Sequence, residues 1–238
     1  MSSEPGWSLR ELMIALLARE VAGLGHVVAG SISPLGAAAA LLAQAMGPTR
    51  ATVLGSRRFN PFSEGWRDLF DCAAEGRIDA FFLSGGQIDG AGNINLLAVG
   101  ERTQPAVRFP GSFGSPYLYL LVPKIVLFRE EHSRRSLVER VDFISAPGHS
   151  AGNVYRPGGP KALVTGLARF NFAGRFRLES IHPGHDLAEV EKATGFGFDC
   201  AAEPAVTPAP TGEELALIRG RVHEELAETY PVFAASLR

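Results

Sequence analysis

The sequence has little of several features that would narrow its function. Its 238 residues include only two cysteines, Cys72 and Cys200, too few for the disulfide framework of a small secreted domain. Glu11, Arg19 and Glu20 interrupt the apolar N-terminal segment, and no apolar run approaches the roughly 20 residues that a membrane-spanning helix requires. The formal net charge is −2, so the chain has no basic field that would attract nucleic acid. We therefore expect a cytoplasmic protein that binds neither membranes nor nucleic acids.

What the sequence does have is the length and composition of a single α/β domain over residues 1–238. Hydrophobic residues make up 46% and charged residues 20% of the chain, as in an ordinary globular protein. Capping-box pairs at Ser8/Glu11 and Thr211/Glu214 indicate the starts of two helices. Apolar runs that alternate with helical segments predict an open, mostly parallel sheet with flanking helices. The predicted helices cover 8–23, 36–46, 64–76, 187–194 and a last segment from about 211. The predicted strands cover 26–30, 51–55, 78–83, 94–99, 117–122, 125–128, 141–145, 162–172 and 176–181.

Segments rich in glycine and proline are predicted to connect these elements. Residues 107–116 form a loop, residues 147–160 form an exposed excursion, and residues 204–210 form a proline-rich connector. The strands 162–172 and 176–181 are predicted to make a hairpin with Ala173 and Gly174 at its turn.

The most informative stretch lies at residues 81–95, where a buried strand passes into a glycine-dense turn. Glycines such as Gly85 and Gly86 let backbone N–H groups approach a ligand closely. Such a turn could hold an oxyanion or the carbonyl of a thioester. A tight turn between two strands, with no ligand, explains the glycines equally well.

The whole run is more specific than its glycines. Residues 85–95 follow the pattern GGQID-GxGNxN, which resembles the signature of the β subunits of class I coenzyme A transferases, especially the glutaconate CoA-transferase type. The resemblance implies that family's open α/β fold, an acyl-CoA substrate and a homologous larger α subunit as obligate partner, in an α2β2 or similar assembly. Other segments that resemble the family are PLGA (34–37), RFPGSFGS (108–115), SAPG (145–148), SIHPG (180–184) and TGFGFD (194–199).

The sequence departs from the family pattern at the residue on which transferase chemistry depends. Transferases of this class carry a glutamate at the end of the second strand, which attacks the acyl-CoA and becomes a glutamyl-CoA thioester. Here that position falls on Leu54 or, with a shift of two residues, on Ser56. Neither is a carboxylate, and a serine ester would lack the acyl activation of the thioester. Glu64 lies at a predicted helix start, where an acidic residue suits the helix dipole.

The family also implies other chemistry on the same scaffold. One relative is a hydrolase that opens a steroid-derived ring on a CoA thioester, and another is a cofactor-free decarboxylase that converts 3-methylglutaconyl-CoA to 3,3-dimethylacrylyl-CoA on a route to isovaleryl-CoA. Loss of CO₂ leaves a dienolate whose charge spreads to the thioester oxygen, so the reaction needs fixed N–H dipoles and a dry pocket. We expect this chain to be the small subunit of such a decarboxylase. A CoA-thioester hydrolase, a true transferase and a non-catalytic subunit that shapes the pocket are the alternatives.

The predicted site combines the end of the second strand with two glycine-rich loops. Catalytic roles are assigned to Ser56, Gly85 and Gly86, where Ser56 either donates a hydrogen bond to the substrate or only fills the space of the lost glutamate. Core packing is the alternative role for Phe59 and Phe113. No cofactor is expected beyond the coenzyme A of the substrate. The predicted substrate-binding residues are Leu54, Gly55, Phe59, Asn60, Gln87, Gly111, Ser112, Phe113 and Gly114.

Charged and histidine residues near these segments allow further hypotheses. Arg57 and Arg58 could pair with a substrate carboxylate or a CoA phosphate, or they could be solvated. An arginine on a departing carboxylate would favour hydrolysis or transfer, because it stabilises the ground state more than the transition state of decarboxylation. His182 and His185 are spaced i, i+3, but the Pro-Gly pair between them argues against the helical geometry of metal ligands, and His149 is expected to be solvated. We therefore expect no metal site.

Overall fold

The structure, a computed structural model, describes residues 6–237, so the predicted domain 1–238 extends beyond the described residues at both ends. The first helix begins as expected: the Ser8 hydroxyl accepts a hydrogen bond from the Glu11 backbone N–H, and the Glu11 carboxylate accepts one from the Ser8 N–H. The α-helices are α1 (Leu9–Val21), α2 (Pro34–Met46), α3 (Trp66–Ala74), α4 (Ser115–Leu121), α5 (Leu187–Ala193), α6 (Gly212–Leu217), α7 (His223–Ala227) and α8 (Pro231–Ala234), with a π-helical turn at Ile218–Val222 between α6 and α7.

One eight-stranded sheet forms the centre of the fold, in the order β12-β11-β10-β9-β8-β3-β1-β2. Neighbouring strands are parallel except at the two pairs that involve β10. This arrangement confirms the predicted mostly parallel sheet with flanking helices. The strands are β1 (His26–Ala29), β2 (Arg50–Val53), β3 (Ala80–Leu83), β4 (Gln87–Ile88), β5 (Ile94–Asn95), β6 (Ala98–Val99), β7 (Val107–Arg108), β8 (Lys124–Arg129), β9 (Pro160–Thr165), β10 (Ala168–Phe172), β11 (Phe176–Ile181) and β12 (Asp199–Val206).

Separate apolar clusters cover the two faces of this sheet. On one face, α1, the alanine-rich α2 and the C-terminal helices pack around residues such as Leu17, Leu41 and Ile218. On the other face, α3, α4 and α5 pack around residues such as Leu69 and Phe170. Within residues 6–237, no helix is long and apolar enough to cross a bilayer.

The segment 117–122, for which the sequence predicts a strand, belongs to helix α4. The prediction is wrong because periodicity cannot separate a buried helix from a buried strand in so short an apolar run. Pro116 lies in the first turn of α4, where its fixed φ suits a helix. Tyr119 is fully buried, and its hydroxyl donates a 2.6 Å hydrogen bond to the Gly92 carbonyl, so α4 supports the loop that follows β3.

Side-chain hydrogen bonds interrupt two other predicted strands. The segment 94–99 is split into β5 and β6, because the Asn95 side-chain oxygen accepts hydrogen bonds from the backbone N–H groups of Leu97 and Ala98. The segment 141–145 forms no strand, and the Asp142 N–H donates to the Gln87 side chain instead of a neighbouring strand. Hydrophobic periodicity does not reveal such local competition.

Two further predicted boundaries, both in the C-terminal half of the sheet, are wrong. The predicted strand 162–172 is two antiparallel strands, β9 and β10, with a turn at Gly166, whereas the predicted hairpin of β10 and β11 is confirmed. The predicted connector 204–210 begins inside β12. Pro204 is tolerated there because β12 is an edge strand, which needs ladder partners on one side only.

Candidate functional site

A cavity of about 470 Å³ opens at the carboxyl edge of the sheet. The chain enters its wall at Gly30 after β1, at Leu54 after β2 and at Ser84 after β3. Open α/β sheets bind ligands at this edge. The lining residues are Gly30, Ser31, Ile32, Ser33, Leu54, Trp66, Phe70, Phe81, Phe82, Leu83, Ser84, Leu96, Pro110, Gly111, Ser112, Phe113, Gly114, Ser115 and Leu118.

None of these lining residues has a side chain that ionises near neutral pH. Apart from the indole N–H of Trp66, the polar side-chain groups are serine hydroxyls, and that of Ser33 is buried without a hydrogen-bond partner among the described residues. With no carboxylate, imidazole, amine or thiol in its wall, this chain's part of the cavity can orient a ligand by hydrogen bonds and exclude water. It offers neither a carboxylate nucleophile nor a general base. The serines of the lining are Ser31, Ser33, Ser84, Ser112 and Ser115.

An aromatic cluster forms the mouth of the cavity. The rings of Trp66 and Phe113 meet edge to face with their centroids 4.9 Å apart, and the Phe70 ring centroid lies 5.8 Å from that of Phe113. Phe113 is 71% exposed and Ile32 is 87% exposed. Exposed apolar patches at a pocket indicate contact with a ligand or another protein.

The loop before α4 lines the cavity and carries backbone N–H groups that have no acceptor among residues 6–237. Phe113 has a φ of +36°, and Gly114 follows with φ −83° and ψ −3°. The Gly111 N–H donates to the Leu96 carbonyl, but no atom of residues 6–237 accepts a hydrogen bond from the N–H of Ser112, Phe113 or Gly114. Successive amides with φ of alternating sign make a concavity that favours negative charge.

Ser56 lies outside the cavity wall and fixes the loop that follows β2. It is 5% exposed. Its hydroxyl donates a 2.8 Å hydrogen bond to the Glu228 carboxylate and accepts bonds from the N–H groups of Arg58 and Phe59. The hydrogen bond from Ser56 and a second one from the Arg57 N–H hold the pKa of Glu228 below its usual range. Ser56 therefore ties this loop to the C-terminal helices.

The other predicted residues around Ser56 are divided between cavity and scaffold. Leu54 lines the cavity. Gly55 packs closely against the Ser31 carbonyl, and Asn60 donates a 3.0 Å hydrogen bond to the Leu54 carbonyl. Phe59 packs against the core on the α2 side of the sheet. This position matches core packing, the alternative role expected for Phe59.

The predicted glycine turn lies behind the cavity wall rather than in it. The Gly86 N–H donates to the Asn95 carbonyl at 2.9 Å, and the Gly85 carbonyl accepts from Arg129 at 3.0 Å. Gln87 is buried and accepts a 2.7 Å hydrogen bond from the Asn95 side chain. These groups hold the β4–β5 hairpin together, and a catalytic role for Gly85 and Gly86 stays a prediction. In contrast, all four predicted residues of the loop 111–114 line the cavity.

The arginines after β2 do not reach the cavity either. The Arg58 guanidinium lies 4.9 Å from the centroid of the Phe59 ring and 3.7 Å from the Glu225 carboxylate. Arg57 contributes its backbone N–H to the Glu228 contact. Neither arginine lines the cavity.

The histidines hold local structure. His182 is buried, and its ring bonds to the Thr207 hydroxyl; burial lowers its pKa to about 4. His185 pairs with Glu189 at 3.0 Å, and His149 lies on the opposite edge of the sheet. In the part of the chain that the structure describes, no group of three or more His, Cys, Asp or Glu side chains is arranged to hold a metal ion.

Sequence reasoning missed the wall segment after β1. Residues 30–33 line the cavity, and the Tyr230 hydroxyl donates a 2.9 Å hydrogen bond to the Ser31 carbonyl. The rule that ligands lie beyond the carboxyl ends of parallel strands would have found residues 30–33. Nothing in the sequence pattern pointed to Glu228 and Tyr230, because they meet these loops only through the fold.

The family model for coenzyme A transferase matches residues 13–193, about three quarters of the chain. The chain belongs to the coenzyme A transferase family. This finding confirms the resemblance drawn from the GGQID-GxGNxN run and the segments that follow it.

Three relatives illustrate the range of this family. A subunit of the 3-oxoadipate CoA-transferase of Pseudomonas knackmussii is 34% identical over 153 residues, which cover 60% of this chain and 58% of that protein. The cholesterol ring-cleaving hydrolase IpdB subunit of Rhodococcus jostii is 34% identical over 166 residues, covering 66% of this chain and 65% of that protein. The matches thus span less than two thirds of these two relatives. The crystal structure of the decarboxylase AibA/AibB superposes with a TM-score of 0.78 at 26% identity, covering 97% of this chain and 98% of that one.

Proposed function

We propose that this chain is the small subunit of a heteromeric, cofactor-free decarboxylase that acts on a glutaconyl-type CoA thioester. The preferred reaction is conversion of 3-methylglutaconyl-CoA to 3,3-dimethylacrylyl-CoA, a step toward isovaleryl-CoA. The likeness of the fold to the decarboxylase AibA/AibB is consistent with this choice. The proposal rests on one observation above all: the cavity wall contains no ionisable side chain.

That wall suits decarboxylation better than transfer or hydrolysis. A transferase needs a carboxylate nucleophile, and Leu54 stands in the wall where the second strand ends. A hydrolase needs a base to activate water. Decarboxylation needs a low-polarity site in which the substrate carboxylate is poorly solvated and no cation stabilises it in the ground state. Arg57 and Arg58, the cations that follow Leu54 in the sequence, lie outside the lining.

The loop 111–114 is the best source of dipoles for the developing negative charge. As CO₂ leaves, the electron pair of the breaking C–C bond moves through the double bond to the thioester oxygen. The free N–H groups of Phe113 and Gly114 would stabilise that oxygen without rearrangement. Protonation of the carbon that lost CO₂ then gives 3,3-dimethylacrylyl-CoA, and the proton comes from outside this chain's part of the wall.

A homologous larger α subunit is the partner that this proposal requires, in an α2β2 or similar assembly. The exposed aromatic mouth formed by Trp66 and Phe113 would be covered by that subunit. The ionisable groups that are absent from this chain's part of the wall, including the proton donor, would then come from the other side of the interface.

A CoA-thioester hydrolase is the second candidate, favoured by the 34% identity to the ring-cleaving hydrolase subunit of Rhodococcus jostii. In that case the partner would supply the base that activates water. If the partner supplied all the reacting groups, this chain would be a non-catalytic subunit that only shapes the pocket.

The test is to co-express this chain with its larger subunit, add 3-methylglutaconyl-CoA without an acceptor, and follow the product by mass. We expect loss of CO₂ with coenzyme A retained. Addition of water would establish the hydrolase, and a reaction that starts only when another acyl-CoA or a free acid is added would establish the transferase.

The variant Ser56→Ala separates a chemical role from a structural one in the same assay. Because the Ser56 hydroxyl is engaged with Glu228, we expect turnover to persist within about fivefold, while the free energy of unfolding falls by about 1 kcal/mol. Complete loss of turnover in a folded Ser56→Ala complex would contradict this assignment.

A further inference from the structure

A second groove, of about 380 Å³, lies at the amino edge of the sheet. Its walls are the glycine-rich segment 148–159, the start of β9 at Pro160, and the turn at Ala173 and Gly174 between β10 and β11. The six residues of β9 separate this edge from the carboxyl edge by roughly 17 Å, at about 3.3 Å per residue. The groove is therefore distinct from the apolar cavity.

Arg156, in this groove, is a half-buried cation with no carboxylate within 4.0 Å among residues 6–237, and its guanidinium lies 5.4 Å from the centroid of the Tyr119 ring. Its guanidinium donates to three uncharged oxygens: the Gly158 carbonyl at 3.1 Å, the Ser150 hydroxyl at 3.0 Å and the Tyr119 carbonyl at 3.4 Å. Burial lowers the pKa of Arg156, so the surroundings penalise its charge. Guanidinium has five N–H donors, and these three contacts leave two for a ligand.

The other half-buried arginines of the described residues do not share this feature. Each of them has a carboxylate oxygen within 4.0 Å, as expected for charges withdrawn from water. The pairs are Arg10–Glu130, Arg19–Glu214, Arg129–Glu131 and Arg169–Glu20.

The rest of the groove adds positive charge and no negative charge. Lys161 lines it with an exposed side chain that makes no hydrogen bond or ion pair within residues 6–237. No aspartate or glutamate is among its lining residues. His149 closes one side, where its ring nitrogen bonds to the Gly174 carbonyl at 2.9 Å.

We propose that this groove binds a phosphate group through the Arg156 guanidinium and the Lys161 ammonium. A phosphate oxygen pair matches the planar fork of guanidinium, and an ammonium adds a second, mobile charge. Phosphate binding here does not require the proposed decarboxylase activity, because the two basic residues lie at the other edge of the sheet from the cavity.

The experiment is a calorimetric titration of the assembled complex with inorganic phosphate in a chloride buffer. We expect saturable binding that Lys161→Glu abolishes and Arg156→Lys weakens at least about tenfold. Lys192→Glu is the matched control, because Lys192 is also exposed but lies on α5, outside the groove. Lys161→Glu disturbs no internal contact, so it remains informative if Arg156 variants unfold. Absence of phosphate binding to the wild-type complex, or equal binding by Lys161→Glu, would overturn the proposal.

Competition then identifies the source of the phosphate. Coenzyme A and adenosine 3′,5′-bisphosphate are each added to the phosphate-saturated complex, in the wild type and in Lys192→Glu. Displacement of phosphate from both proteins assigns the groove to the nucleotide end of an acyl-CoA. Phosphate binding that neither compound displaces assigns the groove to free phosphate or to another phosphate ester.

Discussion

Two loops of this protein are both rich in glycine but differ in almost every structural respect. The segment 85–92 is largely buried, and its backbone and side chains bond to one another and to neighbouring loops. The segment 111–114 lines the cavity and includes the exposed ring of Phe113. The first loop is scaffold, and the second is surface on which a ligand can lie.

The two loops also contain glycine for different physical reasons. A Cβ atom added to Gly86 would lie 2.2 Å from the Phe109 ring, so a side chain there would force the ring to move. Gly111 has nothing within 4 Å of such an atom, but its φ is +104°, so glycine is required there for conformation. A count of glycines does not distinguish a tightly packed turn from an open one.

The strongest test of this difference is Gly86→Val. Its side chain would collide with Phe109, and overpacking typically costs about 1–3 kcal/mol. We expect a drop at the upper end of that range in the free energy of unfolding, measured by chemical denaturation of the complex. Gly197→Val is the control, because a Cβ there meets nothing within 4 Å. A stable Gly86→Val complex that has lost only turnover would place the loop in the site and break the comparison.

The second test removes a polar side chain that holds the scaffold loop. Asn95 is fully buried, and its amide bonds to the Gln87 side chain and the Ala98 carbonyl. Asn95→Leu would remove the donor to the Ala98 carbonyl and the acceptor of the Leu97 and Ala98 N–H groups, at a cost of about 2 kcal/mol. The measurement is thermal unfolding of Asn95→Leu compared with that of Asn153→Leu, a change at an exposed position. Equal stability of the two variants would show that water replaces the lost bonds and that the loop is less closed than we describe.

The same contrast explains what sequence reasoning could predict. The parallel sheet follows from the alternation of apolar strands and helices such as β1, α2 and β2, and the capping boxes at Ser8 and Thr211 place two helix starts correctly. The loop 111–114 could be assigned to the site because an aromatic residue between glycines has little reason to be there for packing. These inferences use local signals, and local signals are what a single sequence contains.

The errors come from contacts that the sequence separates widely. The segment 117–122 is a helix whose fully buried Tyr119 donates a hydrogen bond to the Gly92 carbonyl, 27 positions earlier in the chain. Ser56 is held away from the cavity by Glu228, which lies 172 positions further along the chain. The spacing of motifs along the sequence does not reveal either of these contacts. The glycines of the segment 85–92 suggest a catalytic role, but the hydrogen bonds within this turn explain the same glycines.

A smaller effect is expected at the glycine of the cavity loop. In Gly111→Ala the new methyl group has free space, so only the positive φ opposes it, at about 1 kcal/mol. The free energy of unfolding should therefore fall by about 1 kcal/mol relative to Gly152→Ala, where neither φ nor neighbours oppose a side chain. A loss as large as that of Gly86→Val would mean that the loop 111–114 is packed as tightly as the scaffold loop.

The smallest effect on stability, and the most specific effect on binding, is expected at Phe113. The side chain is 71% exposed and its φ is +36°, so Phe113→Gly relieves strain and should change the free energy of unfolding by no more than about 1 kcal/mol, in the stabilising direction. Phe113→Ala removes the same ring but keeps the strain, which makes it the matched control.

Both Phe113 variants should weaken binding of an acyl-CoA about tenfold, since the ring forms the mouth of the cavity and burial of a phenyl group on a ligand contributes about 1.5–3 kcal/mol. The fluorescence of Trp66, which contacts Phe113, reports that binding directly. Wild-type affinity in both variants would show that the ligand does not reach the aromatic mouth, and the loop 111–114 would then be as remote from the substrate as the glycine turn.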